Sequence, residues 1–595
     1  MLTHPVRYLK FLLGCILCIA AGMTSAQQAS DRVAPEFSHQ TLTSVPATQT
    51  TASYNEFIVV TAHPLASQAG YEVLEKGGSA IDAMVTVQTV LGLVEPQSSG
   101  LGGGAFALYY HAASNQLFSF DGRETAPLKA PTDLFLEVDQ SPMEFFEAVV
   151  GGRSVGTPGT VKLLTELHAQ FGKQPWSALL DPAIELAENG FTVSPRLADS
   201  VSRDAERLQK VPAAKAYFFP DNTPVQTGHV LKNTDYADTL KLLARHGGEY
   251  FYRSAISQAI VDAVQSSPNK GYLSEEDFNN YKLLTRVNHC FDYHAYEICT
   301  MGAPSSGGIA LQQILGIARH AGLEKFKPEA PVAWQILAEA SRRAFADRAK
   351  YVADPDYFNI PDGLLHERYL KQRSQDIQPG KASQEVHPGT PDTSVSATLI
   401  QASSPEQAST SHFVIVDRDG NILSMTSTIE NAFGSRLFVK GFFLNNELTD
   451  FSFQPKEGEQ LVANRVETGK RPRSSMSPTI VFHQTEDPQK KHPYLALGSP
   501  GGSRIINFVA QSLISVLNWQ DELQVAFDRP HILNRFGKME LEINTPATEM
   551  ENDFTKMGYE VSIQDINSGL HGVMFTKEGM KGAADKRREG VVLGK

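Results

Sequence analysis

An abrupt change of composition at residue 410 constrains this chain more than any other feature. Residues 374–409 contain no Phe, Tyr or Trp and are rich in Ser, Thr, Gln and Pro. Such a stretch buries too little apolar surface to offset the entropy lost on ordering, which predicts a flexible, exposed tether. Directly after it, Thr410-Ser411-His412-Phe413-Val414-Ile415-Val416-Asp417 reads as a strand. A turn over 417–421 containing Asp419-Gly420 leads into a second strand, Ile422–Thr428. Asp-Gly between two apolar runs is a hairpin signal. Any fold for this chain must therefore bury a hairpin whose first residue ends a tether.

Around that hairpin the periodicity is mixed. Apolar residues at helical spacing predict two helices between Ser67 and Val94, separated at Gly77-Gly78. Further helices are predicted over 160–171, 175–190, 236–246, 252–265, 307–322 and 332–353, and strands over 105–110, 412–417, 422–428, 478–483, 493–498 and 558–563. At 595 residues the chain has room for three domains or more, or for one large enzyme with insertions. Its net charge of −13 and the lack of a basic run argue against nucleic acid as a partner, because neutralising phosphates needs clustered Lys and Arg.

The N-terminus reads as an address. Arg7 and Lys10 precede an apolar stretch, Phe11–Ala21, and Thr24-Ser25-Ala26 offers a small-residue cleavage site. Residues 1–26 are expected to be a signal peptide and 27–54 a loose leader. The apolar stretch is shorter than the roughly 20 residues that span a bilayer, and no later segment reaches that length. An exported protein, periplasmic or secreted and without stable membrane insertion, is expected. Cys15 and Cys18 leave with the signal, whereas Cys290 and Cys299 flank a short hairpin. They form either a disulfide across it or two buried thiols.

Several motifs compete for the chemistry. Gly152-Arg153-Ser154-Val155-Gly156 matches a nucleophile elbow, but Thr157-Pro158 reads as a helix N-cap and first helical residue, too late for Ser154 to sit in the elbow. The Gly100–Gly104 run precedes a strand instead of a helix, which removes a dinucleotide site. No H-E-x-x-H or Cys/His cluster is present, so neither a metal nor a cofactor is expected. Gly498-Ser499-Pro500-Gly501-Gly502-Ser503 follows a strand and precedes a helical stretch, a setting in which backbone N–H groups can face an anion. Ser474 and Ser475 lie in a loop before another strand, and Glu447 and Asp450 are two carboxylates three residues apart.

From about residue 55 to the C-terminus, these segments in this order resemble the γ-glutamyltranspeptidase (glutathione hydrolase) family. The resemblance is carried by Gly77–Ala83, Ser99–Gly104, Asp121-Gly122-Arg123-Glu124, Pro304–Gly308, Ala346-Asp347-Arg348, Thr410-Ser411-His412, Leu444–Glu447, Pro472–Pro478 and Gly498–Arg504. It implies the α+β class, in the form of an N-terminal-nucleophile hydrolase fold, an αββα sandwich, and a precursor that cuts itself before Thr410. The products would be intertwined subunits, 27–409 and 410–595. Thr410 would attack a γ-glutamyl carbonyl, Thr428 would orient its amine, and Gly501 and Gly502 would hold the oxyanion. Arg123, Ser474 and Ser475 would take the donor α-carboxylate, and Glu447 and Asp450 its α-ammonium. Donors such as glutathione, and water, amino acids or dipeptides as acceptors, are the implied partners. Two other readings share part of this pattern: a cephalosporin- or glutaryl-type amide acylase, and a catalytically silent binding homologue.

The chain departs from the family pattern twice. Well-studied members have Asn two residues after the second threonine, where this chain has Glu430. Strand alternation predicts that Glu430 points into the pocket as Thr428 does, placing three carboxylates, partly protonated, around one ammonium. Residues 452–470, where many members carry an aromatic-bearing lid, have Phe453 but no Tyr or Trp, which predicts a more open pocket.

Overall fold

The computed structural model describes residues 52–392 and 409–595, except 486, 488 and 489. The expected signal peptide, most of the leader and residues 393–408 of the tether lie outside the described residues. Two main sheets are built from thirteen strands. Six precede residue 409: β1 (Ile58–Thr61), β2 (Gly104–His111), β3 (Gln116–Gly122), β4 (Leu284–Arg286), β5 (His289–Tyr293) and β6 (Tyr296–Thr300). Seven follow it: β7 (Ser411–Val416), β8 (Ile422–Thr428), β9 (Thr479–His483), β10 (His492–Gly498), β11 (His571–Thr576), β12 (Gly579–Ala584) and β13 (Val591–Gly594). One sheet has the order β13-β1-β7-β8-β2-β3-β4 and the other β12-β11-β10-β9-β6-β5. Each sheet mixes strands from both sides of residue 409.

Period-two alternation decides which face each strand turns inward. Ile58, Val60, Leu108, Val414, Val416 and Ile422 of the first sheet meet Ile480, Phe482, Ala496 and Val573 of the second. The alternate residues Val59, Phe413, Ile415, Leu423 and Met425 pack with the helices Ala80–Val94 and Thr160–Phe171. On the far side, Ile298, Val481, Leu495 and Leu497 pack with the helices Gly307–His320, Pro331–Tyr351 and Ile505–Leu517. The result is helix, sheet, sheet, helix. Every residue of β7 is buried, and each buried Val or Ile is worth roughly 1.5–3 kcal/mol.

The hairpin forms where Asp-Gly predicts it. Gly420 has φ 79°, and Asp417 Oδ1 accepts from the backbone N–H groups of Asp419 and Asn421, both at 3.0 Å. Cys290 and Cys299 face each other across β5 and β6 and form a disulfide. The helix expected to start at Thr157-Pro158 starts instead at Thr160 with Gly159 as N-cap, a position where any side chain would collide with the Tyr281 hydroxyl and the Gly122 carbonyl. Residues 375–392 contain no helix or strand. They are nonetheless pinned: Gln335 donates to Lys381 O at 3.0 Å, Arg342 to Ser383 O at 2.8 Å, and Gly389 N–H to Asp347 at 2.7 Å. Polar side chains on the helix Pro331–Tyr351 supply the hold that composition alone does not predict. Among the described residues, no helix is long and apolar enough to cross a membrane.

Candidate active site

Strand pairing puts the hydroxyl of the boundary residue in the middle of a sheet. Thr410 immediately precedes β7, and Thr428 ends β8 beside Gly104 of β2. The Thr410 Oγ1 lies against the Ser409 carbonyl oxygen and 3.3 Å from Thr428 Oγ1. Thr428 Oγ1 in turn donates to Ser409 O at 3.1 Å and accepts the Glu430 N–H at 2.9 Å. From the opposite side Arg588 donates to Thr410 O at 3.0 Å. A hydroxyl is thus held against a polarised peptide carbonyl.

A small cleft opens over this point. It is lined by Arg123, Ser409, Thr410, Thr428, Glu430, Glu447, Asp450, Ser474, Ser475, Met476, Gly502 and Ile505. Nine of the ten candidate residues therefore converge, drawn from five separate stretches of sequence: 123, 410–430, 447–450, 474–475 and 502. Gly501, the tenth, precedes Gly502 in a turn where both have positive φ, 135° and 58°, a backbone that glycine adopts without strain.

Charge organises one wall. Arg123 is 1% exposed and follows β3. Its guanidinium pairs with Glu447 and, at 2.5 Å, with Asp450, and donates to the carbonyls of Pro472 and Arg473 at 3.2 and 3.0 Å. Burial opposes the charged guanidinium, but the two carboxylates outweigh it and push its pKa further up. Glu447 and Asp450 reach it from one short 3₁₀ turn, Glu447–Asp450. The residues expected to take a carboxylate and an ammonium are thus paired with each other.

Glu430 reaches the cleft by a different route from the one strand alternation predicts. β8 ends at Thr428, and Glu430 sits beyond it at φ 73°, where a non-glycine residue is uncommon. The Asn446 side chain donates to its carboxylate at 2.5 Å. On the far wall Arg348 donates to Ser475 Oγ at 2.9 Å and to Ser306 Oγ at 2.7 Å, and Ser306 donates to the Ser474 carbonyl. Arg348, Ser306 and Asn446 are supports to which sequence reasoning assigned no role, although all three stand inside the matching motifs.

The remaining candidates separate cleanly. Ser154 is fully buried and donates to the Val149 carbonyl at 2.6 Å, so it is no nucleophile. Phe453 stacks on Phe135 at 4.7 Å in a side core, and no residue of 452–470 lines the cleft.

Comparison with known proteins agrees with this geometry. The family described as Gamma-glutamyltranspeptidase matches residues 66–595. The glutathione hydrolase proenzyme of Bacillus subtilis (strain 168) is 37% identical over 549 residues, covering 90% of this chain and 91% of that protein. The acylase ACY 1 proenzyme of Pseudomonas sp. (strain V22) is 32% identical over 542 residues, covering 90% and 92%. Among solved structures, a cephalosporin acylase from Bacillus halodurans aligns with a TM-score of 0.80 and 24% identity, over 93% of this chain and 98% of that one, a likeness of fold. The stacked sheets with Thr410 heading a central strand form the N-terminal-nucleophile hydrolase fold. On the strength of a match spanning nearly its whole described length, the chain belongs to the γ-glutamyltranspeptidase family.

Proposed function

We propose that this protein cuts its own chain before Thr410 and then cleaves γ-glutamyl amides such as glutathione through a Thr410 acyl-enzyme, passing the acyl group to water, amino acids or dipeptides. The observation that carries this reading is the buried Arg123–Glu447–Asp450 group beside a threonine hydroxyl. In the uncut chain Thr410 Oγ attacks the Ser409 carbonyl carbon, with Thr428 donating to its oxygen. The peptide C–N bond breaks, the proton goes to the new amine, and water hydrolyses the resulting ester. The freed α-amine, with an ordinary pKa of about 7.7–8.0, then serves as the base for the hydroxyl. The N–H groups of Gly501 and Gly502 stabilise the oxyanion, at about 3–4 kcal/mol per donor. The processed protein is an exported, associated pair, 27–409 and 410–595, and strands from both pieces in each sheet support that reading.

Donor recognition follows from charge. An α-amino acid head group entering between Arg123 and its carboxylates gives each a new partner: carboxylate to Arg123, Ser474 and Ser475, ammonium to Glu430, Glu447 and Asp450. A glutaryl group brings only the carboxylate: it competes for Arg123 with Glu447 and Asp450 and supplies no cation in exchange, a costly trade in a buried site. The second reading, an amide acylase, is favoured by the acylase relatives. A kinetic screen with γ-glutamyl and glutaryl anilides decides between them. The γ-glutamyl anilide should lead in kcat/KM by about tenfold or more. A lead for glutaryl would favour the acylase, and no turnover of any anilide by uncut protein would favour the silent homologue.

Glu430 offers a finer test. Asn tolerates positive φ and keeps the backbone N–H bond to Thr428, so Glu430→Asn should retain self-cleavage and kcat. KM for the γ-glutamyl anilide should rise about three- to tenfold, from loss of one carboxylate facing the ammonium. KM for the glutaryl anilide should stay level or fall. Equal changes for both donors would show that Glu430 does not read the ammonium.

A further inference from the structure

Glu124, next to Arg123, has no part in the mechanism above, yet its setting is unusual. It is fully buried, and neither carboxyl oxygen receives a hydrogen bond among the described residues. The Arg123 guanidinium is directed to Glu447, Asp450 and two backbone carbonyls instead. The carboxyl occupies the space above Gly104, where any side chain would overlap it. Its acidic neighbour is Glu447. Beyond these, Tyr281 and Arg471 donate to the Arg123 carbonyl, at 2.8 and 3.3 Å. Two ionised carboxylates cannot bond to each other, and an ionised Glu124 would put three acids beside one guanidinium away from water.

We propose that Glu124 stands as a neutral carboxylic acid whose proton is directed at the Glu447 carboxylate, making Glu124 a positioning residue for the group that receives the donor ammonium. This assignment rests on the proposed role of Glu447 in donor binding. Burial, then the negative charge of Glu447, push the Glu124 pKa well above the ordinary carboxylate value. The proton lets Glu124 and Glu447 sit together in a buried wall, with Glu447 held for Arg123 on one side and a donor ammonium on the other. An acid held neutral acts here as a hydrogen-bond donor, which no ionised carboxylate can do.

The test has a spectroscopic arm and a kinetic arm. The infrared difference spectrum between wild type and Glu124→Gln at pH 7 should contain the carbonyl stretch of a protonated carboxyl. A carboxylate pair of bands in its place would overturn the proposal. With a γ-glutamyl anilide, Glu124→Ala should raise KM about tenfold with kcat changed far less, because Glu447 loses its donor. Glu124→Gln, which keeps shape and an N–H donor, should recover most of that, to within about threefold of wild type. KM for a glutaryl anilide should move less in both variants. Glu124→Gln as damaging as Glu124→Ala would show that an ionised carboxylate is needed and would overturn the proposal. If Glu124→Ala fails to fold, the spectrum and the Gln variant still decide. A wild type without γ-glutamyl cleavage would remove the proposed function while the infrared result on Glu124 stood.

Discussion

Thr410→Ala should leave the protein as a single uncut chain with no detectable γ-glutamyl release, while the wild type resolves into two pieces. Thr410 is 3% exposed at the head of a fully buried strand, and alanine keeps its backbone and Cβ, so the fold should survive. What disappears is the hydroxyl that lies against the Ser409 carbonyl and faces Thr428 at 3.3 Å. Removing a nucleophile from a covalent mechanism costs roughly 10⁶-fold in kcat, and here the same atom also opens the chain. Without cleavage no α-amine forms, so base and nucleophile are lost together. Intact mass spectrometry checks both halves: the wild type should yield a fragment beginning at Thr410, and the variant should yield none. A wild type that stays whole yet turns over donor, or a cut and active Thr410→Ala, would end the N-terminal-nucleophile reading.

How far the sequence carries this architecture differs from element to element. Helices with a clear apolar stripe, such as 160–171 and 331–351, sit within a residue or two of their predicted bounds, and so does the 411–428 hairpin. Periodicity and turn chemistry are local, and those elements obey them. Strands β3 and β4 and the C-terminal group β11 to β13 are absent from the reading, because they are short or carry Gly, His and polar residues where alternation should be. Only pairing with neighbours makes them strands. The site is legible for a different reason: its residues are recognisable as ordered motifs, although no spacing rule would bring Arg123 to Glu447 across 324 residues. Glu430 shows the limit. Strand alternation predicts its destination, yet the chain reaches it through a turn at positive φ held by Asn446. Glu124 lies further beyond that limit, since its significance comes from having an acid for a neighbour and a glycine beneath it.

Arg123→Lys should keep self-cleavage but raise KM for γ-glutamyl donors roughly thirtyfold or more, with kcat changed far less. The guanidinium spends separate N–H groups on Glu447, Asp450, Pro472 O and Arg473 O. A lysine ammonium is one compact charge on a different stem and cannot span both acids and both carbonyls. Truncating one partner of a buried, hydrogen-bonded charge pair costs about 2 kcal/mol or more, which sets the thirtyfold figure. No Arg123 hydrogen bond reaches Ser409, Thr410 or Thr428, so the bond-breaking step is insulated from the change. Arg123→Ala should do worse, because it removes the buried guanidinium that pairs with both Glu447 and Asp450, a loss of about 3–5 kcal/mol that should appear as a lower Tm. The lysine variant separates recognition from folding. Mass spectrometry reports its processing, thermal melting its stability, and the KM-to-kcat split the site of the defect. An unchanged KM beside a lowered Tm would make Arg123 a structural ion pair. A processed, folded variant with a large KM defect for γ-glutamyl donors would place the donor carboxylate on Arg123.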